Sequence, residues 1–184
     1  MPDIRSLLRE IFNQDFASLD DTDKFRKGFF AKKLTLTDLK KVSAAVVASQ
    51  TSAGGKAIPS AIAIPGNKKQ APFIILAQLH GNEPAGLAGI LLAMALSQAG
   101  RLERDVVGIV GNPLAATQYF DAWSTASTAR QEMRDAYRCG VDEKDDLLPD
   151  MNRIPTDFAE RKPDTPHLKR AQELHEQDRL DEEA

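Results

Sequence analysis

Cysteine is all but missing from this chain, with Cys139 the single thiol in 184 residues. No intramolecular disulfide can form, so nothing calls for an oxidising compartment, and the cytoplasm is the expected setting. Long apolar runs are missing too. The most apolar stretch, Ile90 to Leu96, is far too short to cross a bilayer. The start, MPDIRSLLREIFNQDF, lacks the basic-then-apolar pattern and small-residue cleavage site of a signal peptide. An excess of one charge is absent as well: 24 basic residues face 27 acidic ones, a net charge of -3. That balance offers no general attraction to phosphate backbones or anionic lipid, which removes nucleic acid and membranes from the expected partners. There is no Gly-rich phosphate loop either, because Gly86 and Gly89 fall inside a helical stretch, where they permit close packing.

What is present suits one domain with a real core, since 42% of the side chains are hydrophobic. Ile4, Leu7, Leu8, Ile11 and Phe12 recur at helical spacing and predict an amphipathic helix within Asp3 to Phe16 that docks on another surface. Asp20 to Lys32 predicts a second short helix. Lys40 to Ser49 (KKVSAAVVAS) and Ser60 to Ile64 (SAIAI) read as short antiparallel lead-in strands around a Gly54-Gly55 turn. Pro72 to Leu79 (PFIILAQL) reads as a central strand covered on both faces. A polar turn, His80-Gly81-Asn82-Glu83-Pro84, and a helix from Ala85 to Gln98 closed by Gly100 follow it. Asp105 to Val110 repeats the pattern, ending in Gly111-Asn112-Pro113 ahead of a helical Leu114 to Tyr119. Strands alternating with helices predict an α/β fold with a parallel or mixed central sheet flanked by helices, whose ligands gather at the carboxyl ends of the strands. The expected organisation is a helical extension over 1–40, an α/β domain over 41–155 and a charged tail over 156–184.

Within this frame, His80-x-x-Glu83 places an imidazole and a carboxylate three residues apart on a turn leaving a strand. Both are donor types for a catalytic metal held by about three protein ligands with one position left for water. Alone, the pair also fits a polar loop with a helix-capping glutamate. Asn152-Arg153 pairs an amide with a guanidinium, suited to gripping a substrate carboxylate, though taken alone it reads first as a surface arginine facing Asp150. Cys139 has arginine neighbours in sequence but no evident histidine partner, and reads as an incidental thiol.

The runs IILAQLHGNEPAGLAGILLAMAL, VVGIVGNPLAA and DMNR, in this order over about half the chain, resemble the succinylglutamate desuccinylase/aspartoacylase family and, more distantly, zinc carboxypeptidases. The resemblance implies a zinc-exopeptidase-like fold and a zinc-dependent deacylase cleaving the amide of an N-acyl amino acid or a similar small carboxylate-bearing substrate. By the same resemblance His80 and Glu83 are zinc ligands, Asn152 and Arg153 bind the substrate carboxylate, and Asn112 lies at the pocket edge.

Two departures accompany it. The family usually has an arginine a few residues before DLNR that polarises the scissile carbonyl. Asp145 stands five residues before Asp150, and Arg138 is the substitute the longer loop offers. The family's third ligand, a histidine, and its general-base glutamate lie downstream, and no matching motif precedes Ala184. His167 and His175 fall in a charged, helix-like stretch without a preceding apolar strand. The expectation is therefore a metal site incomplete within these residues and a chain truncated relative to the family. An inactive relative, a third ligand from elsewhere, a non-catalytic binding domain of the same fold and an unrelated α/β domain stay open.

Overall fold

The computed structural model describes residues 3–19, 21–53 and 56–125. The chain divides into two units, Met1–Gln78 with Glu83–Pro113, and Leu79–Asn82 with Leu114–Ala184.

In the first unit, α1 (Ile4–Phe12) forms on the anticipated helical spacing, with Leu8 and Ile11 buried. Asp3 caps its start by accepting from the Arg5 N–H, and Asn13 ends it in the left-handed region. Asp21 caps α2 (Thr22–Phe30) through the Asp23 and Lys24 amides. Five of the eight phenylalanines of the chain lie in this opening stretch. Phe16 meets Phe12 edge-on at 5.0 Å and Phe25 at 5.4 Å, while Phe25 and Phe29 lie parallel at 6.1 Å. Asp15, on the 3-10 turn that carries Phe16, accepts from the guanidinium groups of Arg5 and Arg9. The Arg5 and then the Arg9 hydrogen bonds hold its carboxyl down at about 2.

α3 (Leu36–Val47) corrects the expectation of a strand over Lys40 to Ser49. The valines favour strands, but Thr35 and Asp38 form a reciprocal capping box that starts a helix, and Val42 and Val46 then fall on one buried face. Burial would raise the Asp38 carboxyl. The Thr35 backbone and hydroxyl donors and the Lys32 ammonium, 3.2 Å away, outweigh it and hold the pKa below the ordinary value.

The chain then enters a hairpin of β1 (Gln50–Ala53) and β2 (Lys56–Pro59), paired from Gln50 with Pro59 to Ala53 with Lys56. Three further strands, β3 (Ala61–Ile64), β4 (Lys68–Ala77) and β5 (Arg104–Val110), form a sheet in the order β3-β5-β4. β3 runs antiparallel to β5 and β4 parallel to it, so the sheet is mixed, as anticipated. Among the described residues the strand expected to be central is not. β5 occupies the middle, and β4 is an edge among the described residues, with Phe73, Ile74 and Leu76 at 56%, 60% and 53% exposure. An apolar run reports strand propensity, which central and edge positions share.

Between β4 and β5 lies α4 (Ala85–Gln98), whose Leu87, Ile90, Leu91 and Met94 are fully buried. Gly100, at φ +67°, ends it with the Gly100 N–H on the Ser97 carbonyl and the Arg101 N–H on the Leu96 carbonyl. α1 and the Phe16 turn pack on α4, where the Phe16 N–H donates to Gln98 Oε1 at 3.2 Å and the Arg101 guanidinium stands 6.0 Å above the Phe25 ring.

α5 (Pro113–Thr125), which lies in the second unit from Leu114 onward, begins on proline and outruns the anticipated Leu114 to Tyr119, burying Ala115, Ala116 and Phe120. Among the described residues no helix is long and apolar enough to cross a membrane.

Candidate functional site

Parallel pairing of β4 with β5 puts their carboxyl ends side by side, from Phe73 opposite Val106 to Ala77 opposite Val110. Each strand runs straight into one of the polar turns singled out in the sequence. The pairing continues past the strands: the Gly111 N–H donates to the Ala77 carbonyl at 2.9 Å and the Asn112 N–H to the Gln78 carbonyl at 3.0 Å. Asn112, 9% exposed, is thereby brought to the point where the chain leaves β4.

Gln78 makes that exit unusual. Its φ of +49° is left-handed, and its side chain is buried. A non-glycine residue there costs about 1–2 kcal/mol, so something must hold it. Ser43, on the buried face of α3, donates its hydroxyl to Gln78 Oε1 at 2.7 Å. A hydrogen bond of this kind is worth about 1 kcal/mol net, and leaving Oε1 buried without it would cost about 1–3 kcal/mol. The anchor and the strained step are thus of similar size.

Leu79 to Asn82 form the turn that follows, with His80 at 2% exposure. Glu83 is exposed, and Pro84 leads into α4 without a side-chain cap. Pro84 holds the capping position of α4, one residue after Glu83. Gly86, in the first turn of α4, lies so close to β4 that a Cβ there would stand 2.9 Å from Ala77 Cα and Cβ. A Cβ at Gly89 would meet only Ile75, at 3.8 Å.

A nitrogen donor on His80 and an oxygen donor on Glu83 are of the types zinc takes. Among the described residues no group of three or more His, Cys, Asp or Glu side chains could hold a metal ion. The donor chemistry therefore fits at two positions, and the described residues do not complete a set. Arg138, Asn152 and Arg153 lie outside the described residues, as do Cys139, His167 and His175.

Ser43 and Gln78 were missed in the sequence. A glutamine closing an otherwise apolar strand run was the available signal, and it gained meaning only once Ser43 was seen to lie on a helix. No protein-family model, curated protein or solved structure matches this chain.

Proposed function

We propose that this chain provides the metal-binding turn of a zinc-dependent amide hydrolase of zinc-exopeptidase-like fold. It would deacylate an N-acyl amino acid or a similar small molecule bearing a carboxylate. His80 and Glu83 are two of the metal ligands, Asn152 and Arg153 grip the substrate carboxylate, Asn112 borders the pocket and Arg138 faces the scissile carbonyl. A cytoplasmic setting accompanies this reading.

One observation supports it above the others. The His80 to Glu83 turn follows one of two adjacent parallel strands and the Asn112 turn follows the other, with backbone bonds holding the strand exits together. Ligands of α/β sheets collect at such strand ends. Bound zinc supplies Lewis acidity towards a carbonyl and towards water. The remaining roles belong to the chain. His80 offers an imidazole lone pair and Glu83 a carboxylate oxygen. Arg153 makes two parallel hydrogen bonds to the substrate carboxylate, and the Arg138 cation stabilises charge developing on the carbonyl oxygen.

The test is the zinc content of the purified full chain, measured by mass spectrometry, beside amine release from a panel of N-acyl amino acids. Stoichiometric zinc that is lost in His80→Ala and diminished in Glu83→Ala, with hydrolysis falling alongside, is the expected result. A folded wild-type chain that takes up no zinc and hydrolyses nothing sinks the reading in favour of a non-catalytic binding domain.

A further inference from the structure

We propose that the end of α2 and the adjoining side of α4 form a docking groove for an acidic peptide segment that carries one large apolar side chain. This stands apart from the hydrolase reading, since every residue it uses lies in the first unit and outside the His80 to Glu83 turn. A groove of about 400 Å³ opens between three stretches of chain. Phe29 and Phe30 come from the last turn of α2, Lys32 and Leu34 from the segment that follows, and Gly89 and Leu92 from α4. Its lining lacks a side chain at Gly89, where a Cβ would meet only Ile75, at 3.8 Å. Phe30 borders the groove with 65% of its surface exposed, although its neighbour Phe29 is buried. An exposed ring beside an apolar hollow is the kind of anchor point on which a partner's aromatic or branched aliphatic side chain settles.

Charge decides what kind of partner brings that side chain. Lys24 to Lys33 (KFRKGFFAKK) holds five cations and no carboxylate, in a chain whose net charge is -3. Arg26 and Lys27, both exposed, lie four and three residues before Phe30 on α2, which sets them beside it on the helix surface. Lys33, also exposed, stands between the lining residues Lys32 and Leu34. Lys32 itself is answered within the fold, its ammonium 3.2 Å from the buried Asp38 carboxylate, so its stem serves the groove as apolar wall. Arg26, Lys27 and Lys33 thus offer positive charge around an apolar hollow. A flat anionic surface answers the cations and leaves the hollow empty, and a single small acid fills the hollow and answers one cation. A peptide with an apolar anchor between several Asp or Glu residues answers both.

The test follows the fluorescence anisotropy of labelled synthetic peptides titrated with the full chain. The first peptide carries a phenylalanine flanked on both sides by glutamates, the second has lysines in place of the glutamates, and the third has alanine in place of the phenylalanine. Binding of the first alone, weakening as sodium chloride rises, is the expected result. Phe30→Ala removes the exposed ring beside the groove and should weaken that binding about ten-fold. The paired change Lys27→Glu with Lys33→Glu should weaken it about ten-fold or more, because like charges then face each other. These three side chains are exposed, so the urea midpoint should stay at the wild-type value in both variants. Should Phe30→Ala lower it, the charge-reversed pair decides the matter. A wild-type chain that binds none of the peptides, or binds the glutamate and lysine peptides alike, overturns the proposal. Wild-type affinity in both variants overturns the placing of the site. Binding to vesicles of phosphatidylserine and phosphatidylcholine without binding to the first peptide overturns it in favour of a membrane surface.

Discussion

Two glycines in one helix should respond in opposite directions to the same substitution. Alanine is favoured over glycine in a helix interior by about 0.8–1 kcal/mol, so Gly→Ala stabilises wherever the new methyl has room. At Gly89 it has room, since the nearest atoms, on Ile75, would lie 3.8 Å away. At Gly86 it does not. The added Cβ would fall 2.9 Å from Ala77 Cα and Cβ and 3.3 Å from the Leu76 carbonyl oxygen. The first two contacts involve the backbone of β4 and a side chain with no rotamer to adopt, so helix and strand must part. Overpacking of this kind costs about 1–3 kcal/mol. Gly86 sits in the first helical turn, where the propensity gain is smaller, and the net expectation is a loss of about 1–2 kcal/mol. With a urea m-value of about 2 kcal/mol/M, the midpoint should fall by about 0.5–1 M for Gly86→Ala and rise by about 0.3–0.5 M for Gly89→Ala. Equilibrium urea unfolding followed by circular dichroism measures both. A Gly86→Ala midpoint at or above wild type would refute the close helix-strand contact, whatever Gly89→Ala does.

Thr35→Ala removes half of the capping box on α3 and should cost about 1–2 kcal/mol in urea unfolding, leaving Asp38 dependent on Lys32 alone among side chains. The Asp15 carboxyl titrates at about 2 in the folded chain against an ordinary 3.8. Its pairing with Arg5 and Arg9 therefore stabilises fully above about pH 4 and is lost as pH falls towards 2. Asp15→Asn should accordingly lower thermal stability at pH 6, and the gap to wild type should close by pH 2. Ile74→Lys places a charge at an exposed position on β4, an edge among the described residues, and should change folding stability by under about 0.5 kcal/mol in urea unfolding.

Much of the framework was legible because its signals are local. The alternation from PFIILAQL through His80-Gly81-Asn82-Glu83 to an apolar helix ended by Gly100 needs no distant partner to be recognised, and α1 follows from apolar spacing alone. The errors arose where two local signals competed or where the deciding fact was non-local. In α3 the strand preference of Val42, Val46 and Val47 competed with a capping box seven residues ahead of Val42, and the cap prevailed because burial on one helical face reinforced it. The apolar run of β4 identified a strand but could not rank it against β5, because sheet order depends on which strands pair. In the candidate site, the turn carrying His80 and Glu83 was visible as a motif. The Ser43 tether was not, since it spans 35 residues and begins in an element whose type had been misjudged.

The aromatic cluster at the start of the chain carries a cost during synthesis. Two of its polar ties to the rest of the fold, Phe16 to Gln98 and Thr22 to Arg101, span 82 and 79 residues. At about 5–20 residues per second, a ribosome needs about 4–16 s to make that intervening length. For those seconds the aromatic stretch exists without the α4 helix on which α1 and the Phe16 turn pack, so its burial closes only after that helix has been made.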